Sequence, residues 1–198
     1  MASISRLRAD AAECTRCELF RDATQTVFGE GPVHASIVMI GEQPGDKEDL
    51  DGRPFVGPAG HLLDRALDAA AIDRHALYLT NAVKHFKWKR GNGKVRLHQK
   101  PNREEVRACA CWWQAELDAI KPSLVVLLGA TAAQAVLGPQ VRVTRDRGQV
   151  RAPTEVVPYE TLVTVHPSAV LRTRPAERDA AFDALVRDLR IAAEHVER

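Results

Sequence analysis

Four short runs of aliphatic and β-branched residues, at positions 36–40, 77–80, 124–128 and 161–165, constrain this chain more than any other feature. Each is too short for a helix, and longer stretches with helical spacing separate them. Leu62, Leu63, Ala66, Leu67 and Ala70 recur with a helical period inside residues 60–71. Asn102 followed by Glu104 and Glu105 predicts a capped helix start, with the helix running to residue 120. Phe182, Leu185, Leu189 and Ala193 put one apolar side on a long helix over residues 176–195. Strands alternating with helices build βαβ units. The pattern therefore predicts a three-layer α/β/α sandwich around a central, mostly parallel four-stranded sheet. With 198 residues, 45% hydrophobic and 27% charged, the chain fits one domain over residues 1–198 and excludes a disordered tail protein. No apolar run reaches the roughly 18 residues of a membrane span. The N-terminus also lacks the apolar stretch of a signal peptide. These features lead us to expect a cytoplasmic monomer with no membrane partner.

In open α/β sheets, ligands bind beyond the carboxyl ends of the strands. Here those ends run into Gly41-Glu42-Gln43-Pro44-Gly45, into Asn81 through His85, into Gly129-Ala130-Thr131, and into His166-Pro167-Ser168. The glycines and prolines of residues 41–60 predict a tight loop whose backbone approaches a ligand closely. Their spacing fits neither the Walker P-loop nor the dinucleotide fingerprint. Asp46 to Asp51 reads as a solvated acidic loop. The formal net charge of +2 hides a local basic patch. Lys84, Lys87, Lys89, Arg90, Lys94, Arg96, Lys100, Arg103 and Arg107 face only Glu104 and Glu105 over one stretch, with Trp88 among them. Basic residues interleaved with an aromatic favour contact with nucleic-acid phosphates. Gly91-Asn92-Gly93 makes a basic insert at about residues 86–101 flexible.

The four cysteines form Cys14-x-x-Cys17 and Cys109-x-Cys111. Structural disulfides are rare in the cytosol. A thioredoxin-type pair opens a helix after a strand, whereas Cys14 and Cys17 lie in an irregular N-terminal segment. A shared metal or cluster is the better reading, and zinc satisfies the ligand count as well as iron does.

Taken together, Gly41-Glu42-x-Pro44-Gly45, Pro54-Phe55-Val56-Gly57 with Gly60, Asn81 and His166-Pro167-Ser168 resemble the motifs of the uracil-DNA glycosylase superfamily. The form is that of its iron–sulfur family 4 and family 5 branches, and it extends over about residues 14–172. Gln43 and the insert Lys94-Val95-Arg96-Leu97-His98-Gln99-Lys100 are similar to the UdgX subgroup, whose members end in a covalent complex with uracil DNA. That subgroup carries Lys-Arg-Arg-Ile-His, so Val95 and Leu97 depart from it while Arg96 and His98 match.

The resemblance implies that uracil-containing DNA is the partner, with single strands expected to be favoured, and that free uracil is the product. A base excised from DNA must leave the stack and be read on its Watson–Crick edge. The Asn81 amide would pair with uracil O4 and N3–H, and Phe55 would stack on the base. Gly41, Gln43 and Ser168 would complete the pocket. Cleavage of C1′–N1 leaves the sugar positive and the base negative. Glu42 is therefore expected as the anion near the sugar, and His166 as the donor to O2. His98 would attack C1′ through its unprotonated nitrogen and keep the sugar. Lys94, Arg96 and Lys100 would hold the DNA. The resemblance also implies a [4Fe–4S] cluster on Cys14, Cys17, His85 and Cys109, with an N-terminal ligand segment at about residues 10–35. Cys111 competes for the fourth position, since Cys109 and Cys111 would then chelate together. An ordinary hydrolytic family 4 enzyme and a non-catalytic iron–sulfur DNA-binding module remain as alternatives.

Overall fold

The structure, a computed structural model, describes residues 2–197. Helix α1 (Ile4–Ala12) begins where the Ser3 side chain accepts the Arg6 N–H, and it buries Ile4, Leu7 and Ala11. After an irregular stretch and a 3₁₀ turn at Glu18–Arg21 come β1 (Ile37–Gly41), α2 (Asp46–Asp51), α3 (Pro58–Ala69) and β2 (Tyr78–Asn81). A hairpin of β3 (Trp88–Arg90) and β4 (Arg96–His98) follows. Then come α4 (Arg103–Ile120), β5 (Leu124–Leu128), α5 (Gly129–Leu137), α6 (Val143–Asp146) and β6 (Val150–Arg151). The chain ends with β7 (Glu160–Thr164), α7 (Pro167–Arg172) and α8 (Pro175–Val196).

The main sheet has the order β2-β1-β5-β7-β6. All its pairs are parallel except β6 with β7. The sheet therefore has five strands rather than the expected four. The extra edge strand is two residues long, below the length at which alternation can be read from sequence. Period-two alternation sends Val38, Ile40, Val125 and Leu127 into one core with α1, α4 and α5. Ile37, Met39, Leu124, Val126 and Leu128 enter the opposite core with α3, α7 and α8. This is the expected three-layer sandwich.

Three further stretches differ from their sequence reading. The N-terminal segment holds α1 ahead of the irregular Cys14–Cys17 stretch. The acidic residues 46–51 form a helix whose Glu48 and Asp49 are buried, because both carboxylates accept backbone N–H groups. The basic insert is a hairpin rather than an open loop, with Trp88 opposite His98. Among the described residues, no helix is long and apolar enough to cross a membrane.

From β1 the chain moves to one side for β2 and then to the other side for β5. Neighbouring connections therefore diverge between β1 and β5, and a crevice opens at their carboxyl ends.

Candidate active site

Gly41 ends β1 directly beside Asn81 at the end of β2. The turn after β2 folds back on the next residue, with the Val83 N–H donating to the Glu42 carbonyl at 3.0 Å. A Cβ on Gly41 would lie 2.4 Å from Asn81 Oδ1 and 2.7 Å from Phe55 Cζ. Gly41 is therefore the thin floor between the amide and the aromatic ring. Phe55 adopts φ 57°, a conformation that bulky residues avoid unless the surroundings impose it. The Arg74 guanidinium, itself paired with Asp64, donates to the Phe55 carbonyl at 3.1 Å. Gly60 leaves room for that carbonyl, since a Cβ there would overlap it at 1.9 Å. Glu48 closes the same loop by accepting the Gly45 N–H at 3.0 Å and the Gly57 N–H at 2.8 Å.

Across the crevice, the Thr131 hydroxyl from α5 donates to Glu42 Oε2. The other carboxylate oxygen, Oε1, lies 3.5 Å from His98 Nε2 on the hairpin. His98 is held below the ordinary histidine range, first by burial and then by the positive charge of Arg172, while Glu42 opposes both. Its side chain is still 49% exposed and accessible from outside. Thr131 had only its place at a strand tip to signal it, and Arg172 had no signal at all.

His166 follows β7 and caps α7. Its Nδ1 accepts the Ser168 N–H at 3.1 Å and lies 2.8 Å from Ser168 Oγ. That partner leaves Nε2–H as the ring's donor. Burial, Arg172 and His98 push the His166 pKa down to about 4, so the ring is neutral at pH 7. The rings of Phe55 and His166 stack at 6.2 Å. Gly129, at φ 89°, gives His166 its space, because a Cβ there would meet the His166 Cβ at 2.8 Å.

The structure thus gathers Gly41, Glu42, Phe55, Asn81, His98 and His166 at the carboxyl ends of the strands. Three other expected site residues have partners within the fold. Gln43 has its amide committed to the hairpin base, donating to the Gln99 carbonyl at 3.1 Å and accepting the Lys87 N–H at 3.2 Å. These bonds tie the loop after β1 to the strand end that carries His98. Ser168 likewise has its hydroxyl against the His166 ring. Arg96 is turned inwards, 2.6 Å from both Asp46 and Asp49 and over the rings of Phe86 and Trp88, so its guanidinium is not free for a phosphate. Lys94 and Lys100 are exposed.

Lys84 also leaves the basic patch, because it is fully buried against Glu116 at 2.6 Å. Its ammonium donates to the Asn81 carbonyl at 3.0 Å. Glu116 further accepts from the Gly29 N–H and the Tyr78 and Thr80 hydroxyls, so every buried group in this network is paired.

Behind Asn81, the next residues of the same turn reach the cysteines. The Lys84 N–H donates to Cys109 Sγ at 3.3 Å, and the Leu19 N–H reaches Cys17. The indole N–H of Trp112 donates to Cys14 Sγ at 3.2 Å. Burial pushes the Cys109 thiol up to about 12, and the neighbouring Cys17 and Cys14 act in the same direction. His85 and Cys14 line one cavity of about 220 Å³. The Thr26 hydroxyl donates to the Ala11 carbonyl and so accepts from His85 Nε2–H at 2.9 Å. This fixes the tautomer with a lone pair on Nδ1, a buried atom with no partner among the described residues. Burial keeps the ring neutral. Three sulfurs and one orphaned imidazole nitrogen make a Cys₃His donor set that fits a cluster. Cys111 instead directs its thiol along its own helix, towards the Ala108 carbonyl. Among the described residues, no set of three or more His, Cys, Asp or Glu side chains closes as it would on a single metal ion.

The sequence profile of the uracil DNA glycosylase superfamily matches residues 28–190. The chain is 38% identical over 167 residues to the type-4 uracil-DNA glycosylase of Thermotoga maritima, covering 83% of this chain and 81% of that protein. It is 34% identical over 180 residues to the protein of the same name from Pyrobaculum aerophilum, covering 88% and 87%. A third similar protein of that name, from Archaeoglobus fulgidus, is 34% identical over 187 residues, covering 90% and 88%.

Proposed function

The chain belongs to the uracil DNA glycosylase superfamily, and from that membership we propose that it removes uracil from DNA by breaking the bond between sugar C1′ and base N1. The observation that carries this reading is the Glu42 carboxylate, fixed between Thr131 and His98 beside the Asn81 amide. An extruded uridine would present N3–H to Asn81 Oδ1 and O4 to the amide N–H. As C1′–N1 breaks, its electron pair leaves with uracil, and the charge collects on N1 and O2. The neutral His166 supplies an Nε2–H donor for O2. Glu42 stabilises the cationic sugar without a solvent shell having to rearrange.

The sugar cation must then be captured. We propose His98 as the nucleophile. Its lone pair forms a bond to C1′, and the second ring nitrogen gives its proton to water. A substituted imidazole with no easy leaving route results, and the enzyme stops after one turnover. The 3.5 Å approach of His98 to Glu42 supports this reading, as does a ring held neutral by burial. The competing reading is hydrolysis, with water adding to C1′ and Glu42 accepting its proton. The names of the similar type-4 enzymes fit that course.

Cys14, Cys17, His85 and Cys109 would hold a [4Fe–4S] cluster. Such a cluster supplies an electron-transfer centre or a structural tie. Here it would pin the N-terminal segment to the turn that carries Asn81.

A uracil oligonucleotide run on a denaturing gel distinguishes these readings. A band shifted in detergent and heat, present with the parent protein and absent with His98→Ser, is the expected result. Uracil release without a shifted band would replace capture by hydrolysis. A shifted band that survives His98→Ser would remove His98 as the nucleophile. Binding with no uracil released would leave only a DNA-binding module.

A further inference from the structure

A trough of about 510 Å³ lies between the first half of α4 and the start of α5. It begins at Thr131, whose hydroxyl holds Glu42, and at Lys100, two residues beyond His98. Val106, Ala110, Ala135 and Pro139 give it an apolar floor. Lys100, Arg103 and Arg107 form a cationic rim, and among the described residues no carboxylate lines it. Arg103 and Arg107 are one helical turn apart on the same face, above the floor residues Val106 and Ala110. Lys84, Lys87 and Arg96 are consumed by internal ion pairs. In contrast, Lys100, Arg103 and Arg107 are exposed and pair with no acidic side chain among the described residues.

An apolar floor beneath a cationic rim suits a nucleotide, with the base flat on the floor and the phosphate at the rim. Bases can lie down this way only when the strand is unpaired. Resting on the reading of the chain as a uracil-DNA glycosylase, we propose that this trough holds the nucleotide next to the extruded uridine in a single strand, with its phosphate on Arg103 and Arg107. The trough starts at Thr131, which holds the Glu42 carboxylate, so the strand leaving the uridine on one side would pass into it. The same arrangement makes single strands the preferred substrate.

Three fluorescent single-stranded oligonucleotides test this, with uracil at the centre, at the 5′-terminal position, or at the 3′-terminal position. Uracil release is followed with enzyme in excess, and anisotropy reads binding. Arg103→Ala/Arg107→Ala should raise the half-saturating enzyme concentration about tenfold for the central uracil and for one end-placed uracil. For the oligonucleotide with nothing left to enter the trough, the two proteins should be alike. Removing two phosphate contacts should also flatten the salt slope of binding by about 1.4. An equal loss on all three substrates would mean general electrostatic attraction and would overturn the proposal, as would no loss on any. Equal urea midpoints for parent and variant check that the fold is intact, and Val106→Glu, which puts a carboxylate on the floor, should reproduce the selective loss. If the parent releases no uracil from any substrate, the glycosylase reading fails; selective loss of binding would still be legible by anisotropy.

Discussion

The His166 ring gives a prediction whose size follows from its surroundings. The folded ring protonates only near pH 4, because burial, Arg172 and His98 all oppose the charge and Nδ1 already accepts from Ser168. An unfolded histidine protonates near 6.5, and each pKa unit is worth about 1.36 kcal/mol. Between those two values the unfolded chain binds more protons than the folded one. Stability therefore rises with pH across the window, is complete above about 6.5, and falls away towards pH 4. Lowering the pH from 7 to 4.5 should cost about 2 kcal/mol through this ring alone. In His166→Gln, the amide oxygen can still cap the Ser168 N–H and takes up no proton. Urea unfolding of both proteins at pH 7, 5.5 and 4.5 should show the parent losing that much stability relative to the variant as the pH drops. Parallel curves would mean that the ring titrates normally, and the neutral Nε2–H donor assigned to uracil O2 would be lost with it.

Glu116→Gln should destabilise the fold by about 3–5 kcal/mol in urea unfolding, because it leaves the Lys84 ammonium buried without its counter-charge. Uracil release should also fall, since Lys84 holds the Asn81 carbonyl. Thr131→Val removes a hydrogen bond to a charged group, typically about 1.5–3 kcal/mol. Single-turnover uracil release should slow by about ten- to a hundredfold, and urea unfolding should show a loss of stability of the same order. Purified protein should be coloured and contain iron and sulfide. Chelating the iron should speed hydrogen exchange around Cys14, Cys17 and the Asn81–His85 turn, and colourless protein carrying zinc would remove the cluster. Cys111→Ser should keep the colour, whereas His85→Ala should lose it.

The parallel strands and the α4 cap were legible because short β-branched runs and an Asn-x-x-Glu start are local signals; Asn102 and Glu105 do satisfy each other's N–H groups. The residues that converge in the crevice, Glu42, Asn81 and His166, were legible because each directly follows a strand. The two-residue edge strand β6 was not, as its pairing depends on β7 alone. Charge was the least legible property. Lys84 and Arg96 look like their basic neighbours, and only the fold shows that Glu116, Asp46 and Asp49 meet them. The partners of Gln43 were hidden for a similar reason, since nothing local says that the hairpin base returns to its amide. The tautomer of His85 depended on Thr26, 59 residues away.

Mass spectrometry of the tryptic peptide spanning residues 97–103, after reaction with a uracil oligonucleotide and nuclease trimming, tests the central chemistry most directly. An abasic deoxyribose remnant on the His98 ring, matched by one equivalent of free uracil, is the expected result. An unmodified peptide with uracil released over many turnovers would contradict it and assign the capture step to water.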